Sequence, residues 1–204
     1  MSTVERRRNQ IPRSEILDLG DYERQRDGIR ARAISARAIR RVELGPNATI
    51  TFENRETVKY QIQEMLRAER IAKPEEVEHE IETYSDLLPT PCELSATLMF
   101  ELPDEAERAP ALTALRDFES HLRIEIGRGA QRAPDAAAAR FDRRQIGEDR
   151  LSSVQFVRFP LSRPQCDALR AGAPVRIASD HPAYAHATTI DAATSRALAT
   201  DLED

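Results

Sequence analysis

Hydrophobic positions along the chain change period several times, and the changes mark out its elements. From Tyr22 to Arg40 the apolar residues Tyr22, Ile29, Ala33, Ala36 and Ile39 gather roughly on one side, with arginines and acids over the rest. That spacing predicts a helix over 21–40 with a solvated or partner-facing surface. Val42-Glu43-Leu44 and Thr49-Ile50-Thr51-Phe52 flank Gly45-Pro46-Asn47-Ala48, a β-hairpin pattern whose turn residues suit a reversal. Asn54 follows as a helix cap, and Val58, Ile62, Met65 and Leu66 form the stripe of a helix reaching about Arg70. Pro74 suits the first turn of the next helix, where Val77, Ile81, Tyr84 and Leu88 repeat before Pro89 and Pro91 stop it. A helical hairpin over 55–88 results.

At Glu93 the period becomes two. Leu94, Ala96, Leu98, Phe100 and Leu102 alternate with more polar neighbours, as do Leu122, Ile124 and Ile126 with His121, Arg123 and Glu125; both read as half-buried strands. A helix separates them, from Asp104 to Ser120, with Leu112, Leu115 and Phe118 as its apolar side. Ser153 to Leu161 reads as a further strand, Arg163 to Ala171 as a short helix ending at Gly172. Pro174 to Ala178 and Tyr184 to Ile190 read as strands joined through the turn Ser179-Asp180-His181-Pro182, and Asp191 caps a last helix. Residues 128–149, rich in Ala, Arg and Asp, lack a sustained apolar face and read as a mobile loop with a short helix near 136–141.

The expected class is therefore α+β: a mostly antiparallel sheet packed against helices, with a long N-terminal helix. The expected organisation is a flexible N-terminus over 1–13 and a single domain over 14–204, sheet-rich from 93 to 190. A chain of 204 residues can bury enough surface to fold without a disulfide or a structural metal. Cys92 and Cys166 lie far apart in sequence with no CxxC spacing, and read as two free thiols of a cytoplasmic protein. No apolar leader opens the chain, and no run of apolar residues is long enough for a membrane helix, so no membrane association is expected.

Charge modifies this picture locally. Residues 1–41 carry eleven Arg against six acids, whereas residues 56–86 carry nine acids against four bases, within an overall net charge of -5. The basic N-terminal helix offers only Tyr22 as an aromatic, and the whole chain is acidic, so nucleic-acid binding is not expected.

Candidate chemistry falls in two places. At the start of the Asn54 helix, Glu53, Asn54, Arg55, Gln61 and Glu64 exceed what packing requires; an anion or polar ligand held at a helix N-terminus competes there with an ordinary capped surface helix. In the C-terminal part, Asp180-His181-Pro182 precedes Tyr184 and His186. His181 oriented by Asp180 could act as an acid/base group or bind a metal, with His121, His186, Glu101 or Glu125 as further ligands; the competing reading is turn chemistry. His181 and His186, five apart, would lie on different faces of one strand. Glu76-x-x-His79 has the spacing of di-iron carboxylate helices, but His79 falls opposite Val77 on the helical wheel and no second such motif occurs. No GxGxxG, P-loop, GxSxG or HExxH pattern is present. No specific motif implies a cofactor, and bound iron or zinc remains open.

Several segments together resemble one bacterial family. They are Arg40-Arg41-Val42 with Gly45-Pro46, Phe52-Glu53-Asn54-Arg55 with Thr57, Gln61, Glu64 and Met65, and Leu87-Leu88-Pro89. Leu94-Ser95-Ala96-Thr97-Leu98, Ser153-Val154-Gln155-Phe156 and Asp180-His181-Pro182-Ala183-Tyr184 complete the set. The chain is similar, over most of its length after about residue 14, to the domain of unknown function numbered 3501. No activity comes with that resemblance. It implies a redox- or iron-linked setting, because genes of the family are often seen beside rubrerythrin-like and iron–sulfur proteins. The expected function is a non-catalytic accessory or interaction protein with such a partner; the alternative is a metal-binding protein or metal-dependent enzyme using the Asp180-His181 region. A homo-oligomer joined through the arginine-rich helix fits either.

Overall fold

A computed structural model of the chain describes residues 10–127, 136–142 and 150–202. It confirms the α+β class, with antiparallel sheets and a long N-terminal helix, in two compact units: the chain up to Ala38 together with Glu53–Thr90, and Ile39–Phe52 together with Pro91 onward.

The first unit is helical. It contains α1 (Leu19–Ala38), α2 (Arg55–Ala68) and α3 (Pro74–Ser85). Asn54 starts α2 by a capping box: its side chain accepts from the Thr57 N–H, and the Thr57 hydroxyl accepts from the Asn54 N–H. Val58, Ile62 and Leu66, one per turn, are buried; Met65, expected in the same stripe, is only half-buried. Arg70 ends the helix in the left-handed region (φ 56°), where the Ile71 N–H reaches back to the Leu66 carbonyl. In α3, Pro74 occupies the first turn and Val77 and Ile81 are buried. On α1, Tyr22, Ala33 and Ala36 are buried, while Ile39 lies beyond the helix end and is exposed.

Of the N-terminal stretch expected to be flexible, residues 1–9 lie outside the described residues. Ile11 is seated: its side chain is buried and its N–H donates to the Ser85 hydroxyl. An apolar residue that finds a core pocket is held even near a chain end.

The second unit holds two sheets. The five-stranded sheet runs β1 (Arg41–Leu44), β2 (Ala48–Glu53), β3 (Glu93–Phe100), β7 (Val154–Pro160) and β6 (Arg140–Phe141). The four-stranded sheet runs β5 (Ala136–Ala138), β4 (Leu122–Ile126), β8 (Val175–His181) and β9 (Tyr184–Thr189). Helices α4 (Glu105–Ala114), α5 (Arg163–Arg170) and α6 (Ala192–Asp201) complete it, capped by Asp104, Ser162 and Asp191.

Two expectations are corrected here. The helix expected near 136–141 is absent: Ala136–Ala138 pairs with β4, and Arg140–Phe141 pairs with β7. Alanine favours helix in isolation, but edge pairing with two existing strands outweighs a propensity worth only tenths of a kcal/mol per residue. The rest of the expected 128–149 loop, residues 128–135 and 143–149, lies outside the described residues. Second, Asp180 and His181 belong to β8 rather than to a turn. The reversal is the two-residue Pro182–Ala183 link, so His181 pairs with Tyr184 and Ser179 with His186. Residues facing each other across an antiparallel pair share a side of the sheet, so His181 and His186 lie on one face as diagonal neighbours.

One apolar core fills the second unit, drawing on both sheets and all three helices. At its centre Phe118 makes ring contacts with Phe100 of β3, Phe141 of β6, His181 of β8 and Tyr184 of β9. Arg40, just before β1, forms a buried two-pronged ion pair with Asp201 near the end of α6, at 2.8 and 2.9 Å. No helix among the described residues is long and apolar enough to cross a membrane.

Gly45 offers a sharp check of this packing. Its φ is +68°, and a Cβ there would sit 2.5 Å from the His186 ring; Gly172 has φ +78° with open space around it. Both Gly→Ala changes incur left-handed strain of about 1–2 kcal/mol. Only Gly45→Ala should add an overpacking cost, roughly 1–3 kcal/mol more, read as a lower urea midpoint than Gly172→Ala at unchanged slope.

Candidate functional site

In the first unit, the polar residues around α2 meet partners within that unit. The Thr57 hydroxyl, 2.6 Å from Glu53 Oε2, donates to that buried carboxylate. Arg55 Nη2 donates to Glu15 Oε1 at 2.6 Å, and Lys59 approaches the other Glu15 oxygen. The Arg55 hydrogen bond holds the Glu15 carboxyl below the ordinary glutamate value. The chain thus supplies its own carboxylates, Glu53 and Glu15, at the helix start where a bound anion was considered. Gln61 Oε1 accepts from Arg37 Nη2 at 3.5 Å, and the Arg37 guanidinium lies over the Tyr60 ring.

Glu64 is the best-held carboxylate of this group. Tyr22 donates its hydroxyl to Glu64 Oε1 at 2.6 Å, and Arg26 grips both oxygens, Nε to Oε1 and Nη2 to Oε2, at 2.8 Å each. Two charge-assisted bonds in this fork geometry are the strong kind. They hold the Glu64 carboxyl down at about 2, the Arg26 hydrogen bond being the largest cause. Burial, with Glu64 behind it, pushes the Tyr22 phenol above its ordinary value. Immediately before it, Gln63 is buried; its Oε1 accepts from the Leu17 N–H and its Nε2 donates to the Leu17 carbonyl, clamping the segment before α1.

In the second unit, Asp180 orients His121 rather than His181. His121 Nδ1 lies 2.8 Å from Asp180 Oδ1 and must donate to it, since a carboxylate only accepts. Arg123 Nη1 donates to Asp180 Oδ2 at 2.7 Å, while Arg123 Nε and Arg176 Nη1 bind the two oxygens of buried Glu125. Register explains this ladder: Arg123 faces Ala178 and Glu125 faces Arg176 across β4 and β8, so the ladder occupies one face of the four-stranded sheet. The His121 hydrogen bond, followed by the nearby Arg123 charge, holds Asp180 below the ordinary aspartate value.

His181 is used at both nitrogens. Nδ1 accepts from the Ala183 N–H at 3.1 Å, closing the hairpin turn, and Nε2 donates to the Arg116 carbonyl at 2.8 Å. That leaves it no lone pair for a metal. Its ring meets the His121 ring edge-on at 5.0 Å. Tyr184 donates its hydroxyl to the Leu44 carbonyl at 2.7 Å and accepts from the Asn47 N–H at 2.9 Å. His186 packs on Gly45 and against the Tyr184 ring. Among the described residues, no three or more His, Cys, Asp or Glu side chains gather as a metal site would gather them.

Glu53, Asn54, Arg55, Gln61 and Glu64 thus belong to the first unit, and Asp180, His181, Tyr184, His121 and His186 to the second. Within the second, Asp180, His121 and His181 come together. Sequence reasoning missed Tyr22 and Arg26 as the partners of Glu64, Gln63, the Arg123–Glu125–Arg176 ladder and the Arg40–Asp201 pair. Only the ladder left a trace in sequence, the polar positions alternating through β4.

The model of a family described as "Protein of unknown function (DUF3501)" matches residues 10–202. The chain belongs to that family. It is similar, at 32% identity and a TM-score of 0.86, to a crystal structure at 1.90 Å resolution from Burkholderia pseudomallei K96243, described as a novel protein of unknown function. That likeness covers 95% of this chain and 99% of the other. None of the curated proteins matches the chain. The Asp180-His181-Pro182-Ala183-Tyr184 stretch that carried the resemblance is here a set of ties: to His121, to Arg116, around the turn, and to Leu44 and Asn47.

Glu64 gives a test in pH. Its carboxyl lies at about 2 in the fold against an ordinary 4.5, so folding favours the ionised form. Its contribution is complete above the ordinary value and is lost as pH falls from there toward the folded value. Glu64→Gln should lower stability at neutral pH by about 1–3 kcal/mol. It should also flatten the acid limb of the urea-midpoint profile in that window; a profile parallel to the parent's would show that Glu64 is not held this way.

Proposed function

We propose that this protein is a cytoplasmic, non-catalytic accessory or interaction protein of a redox- or iron-linked system. The observation that supports the reading is where the candidate polar groups are spent. Glu53, Asn54, Arg55, Gln61 and Glu64, and likewise His181 and Tyr184, each hold another part of their own unit. The setting follows the family resemblance, which makes a rubrerythrin-like or iron–sulfur protein the partner to test. Helix α1, with Arg24, Arg30 and Arg32 exposed beside Ile34, is the surface this reading assigns to a partner or to a second copy of the chain.

The test is sedimentation velocity of the purified chain, alone and mixed with a rubrerythrin-like or iron–sulfur protein at micromolar concentration. A faster boundary containing both proteins is expected. Independent sedimentation of the two at every concentration overturns the reading.

One observation favours a second reading, a metal-binding site or metal-dependent centre in the Asp180–His181 region. Asp180 takes the Nδ1–H of His121, the arrangement by which a carboxylate orients a ligating or proton-transferring imidazole. No hydrogen-bond partner of His121 Nε2 is present among the described residues. The working group is then His121, with Asp180 behind it. Protein grown with iron and zinc should carry metal as purified, lose it in His121→Ala and keep it in His79→Ala, a change at an exposed position of α3. Metal-free parent protein would sink this reading and leave the first untouched.

A further inference from the structure

Cys92 and Cys166, 74 positions apart in sequence, meet in the second unit. The end of β7 lies beside the start of β3: Glu93 pairs with Pro160, and the Leu161 N–H donates to the Cys92 carbonyl at 2.8 Å. Leu161 leads directly into Ser162, the cap of α5, and Cys166 sits one turn into that helix. The helix folds back so that the two side chains lie close together in one core, both as free cysteines. Cys166 is fully buried; Cys92 is half-buried at the rim of the same core.

Cys92 also sits in the left-handed region, φ 58°, one of three non-glycine residues to do so among the described residues. That conformation costs a residue with a side chain about 1–2 kcal/mol. It turns the chain from Pro91 into β3 at the position where the Cys92 thiol reaches Cys166. Burial, and then the contact with Cys92, push the Cys166 thiol up to about 12. Cys166 therefore keeps its proton, and Cys92, half-buried at the rim of the core, is the sulfur that a peroxide can reach.

We propose that Cys92 and Cys166 form an oxidation site, a dithiol that a hydroperoxide converts to an intramolecular disulfide. The Cys92 sulfur attacks one peroxide oxygen as it gives up its proton, and the O–O bond breaks. The alcohol or water leaves with a proton, and Cys92 becomes a sulfenic acid, oxidised by two electrons as the peroxide is reduced by two. The Cys166 sulfur then attacks Cys92 Sγ; the S–S bond forms, the S–O bond breaks, and the Cys166 proton leaves with the hydroxyl as water. Overall, two thiols and one hydroperoxide give one disulfide, one alcohol (or water) and one water. The site uses side chains of the second unit alone, so it stands or falls separately from the accessory reading.

The full-length reduced chain is treated with hydrogen peroxide, its intact mass is measured, and it is digested without reduction. Both thiols should disappear together, the mass should fall by two hydrogens, and one linked peptide pair should contain Cys92 and Cys166. Dithiothreitol should reverse all three changes. This readout needs no variant, so it does not depend on a substituted chain folding. In Cys166→Ala, Cys92 should instead gain one oxygen and take a sulfenic-acid-specific label. Thiols that persist under peroxide overturn the proposal. So does a disulfide joining two copies through Cys92, or a sulfinic acid at Cys92 with Cys166 still free.

Discussion

The second unit depends on what happens to the turn between β1 and β2 when two sheets close over one core. A turn has backbone groups that no strand pairs, and burying them without partners costs as much as losing a hydrogen bond. The Tyr184 hydroxyl answers both needs, donating to the Leu44 carbonyl and accepting from the Asn47 N–H, while Thr188 donates to the Glu43 carbonyl beside it. Those bonds fix β9 of one sheet against the hairpin of the other. They explain why position 45 is glycine, since the His186 ring occupies the space a side chain would need. The same tyrosine ring meets Phe100 and Phe118, so one side chain serves the polar seam and the aromatic core together.

Polar residues recur in this supporting role. Arg40 and Asp201 form a buried ion pair between residues 161 positions apart. Such a pair adds little net stability over apolar packing, but loss of one member leaves a buried charge and is costly. Its effect is to penalise any arrangement in which α6 does not end beside β1. In the first unit, Glu64 does the same for α1 and α2 through Tyr22 and Arg26, and Gln63 for the segment around Leu17. A polar residue on a helix can exceed the needs of that helix and still be architecture.

Local signals were legible from the chain alone. Asn54, Pro74 and Asp191 act within a turn of themselves, and the α+β class followed from the changes of period. The places where reasoning failed depend on pairing. Ala136–Phe141 forms strands because β4 and β7 already exist to receive it. The turn expected at Ser179–Pro182 contracts to two residues because β8 and β9 pair down to His181 and Tyr184. That shift reverses the relation of His181 to His186, which alternation along a single strand would place on opposite faces. Glu64 stood out as a polar excess, but its partners, Tyr22 and Arg26, depend on how α1 crosses α2, which no spacing in either helix encodes.

The Asp180-His181 motif shows how neighbours in sequence can take different partners in the fold. Histidine next to aspartate suggested that one oriented the other. In a strand, adjacent residues point to opposite sides of the sheet, so neighbours in sequence are the pair least able to share a proton. Asp180 instead reaches across the strands to His121, whose backbone carbonyl also receives the Asp180 N–H. His181, turned inward, is saturated by a turn N–H and a carbonyl. The strand that carries the motif thus divides it by parity: odd positions build the core, and even positions hold the charged face. On that charged face Asp180 meets His121 and Arg123 from the neighbouring strand.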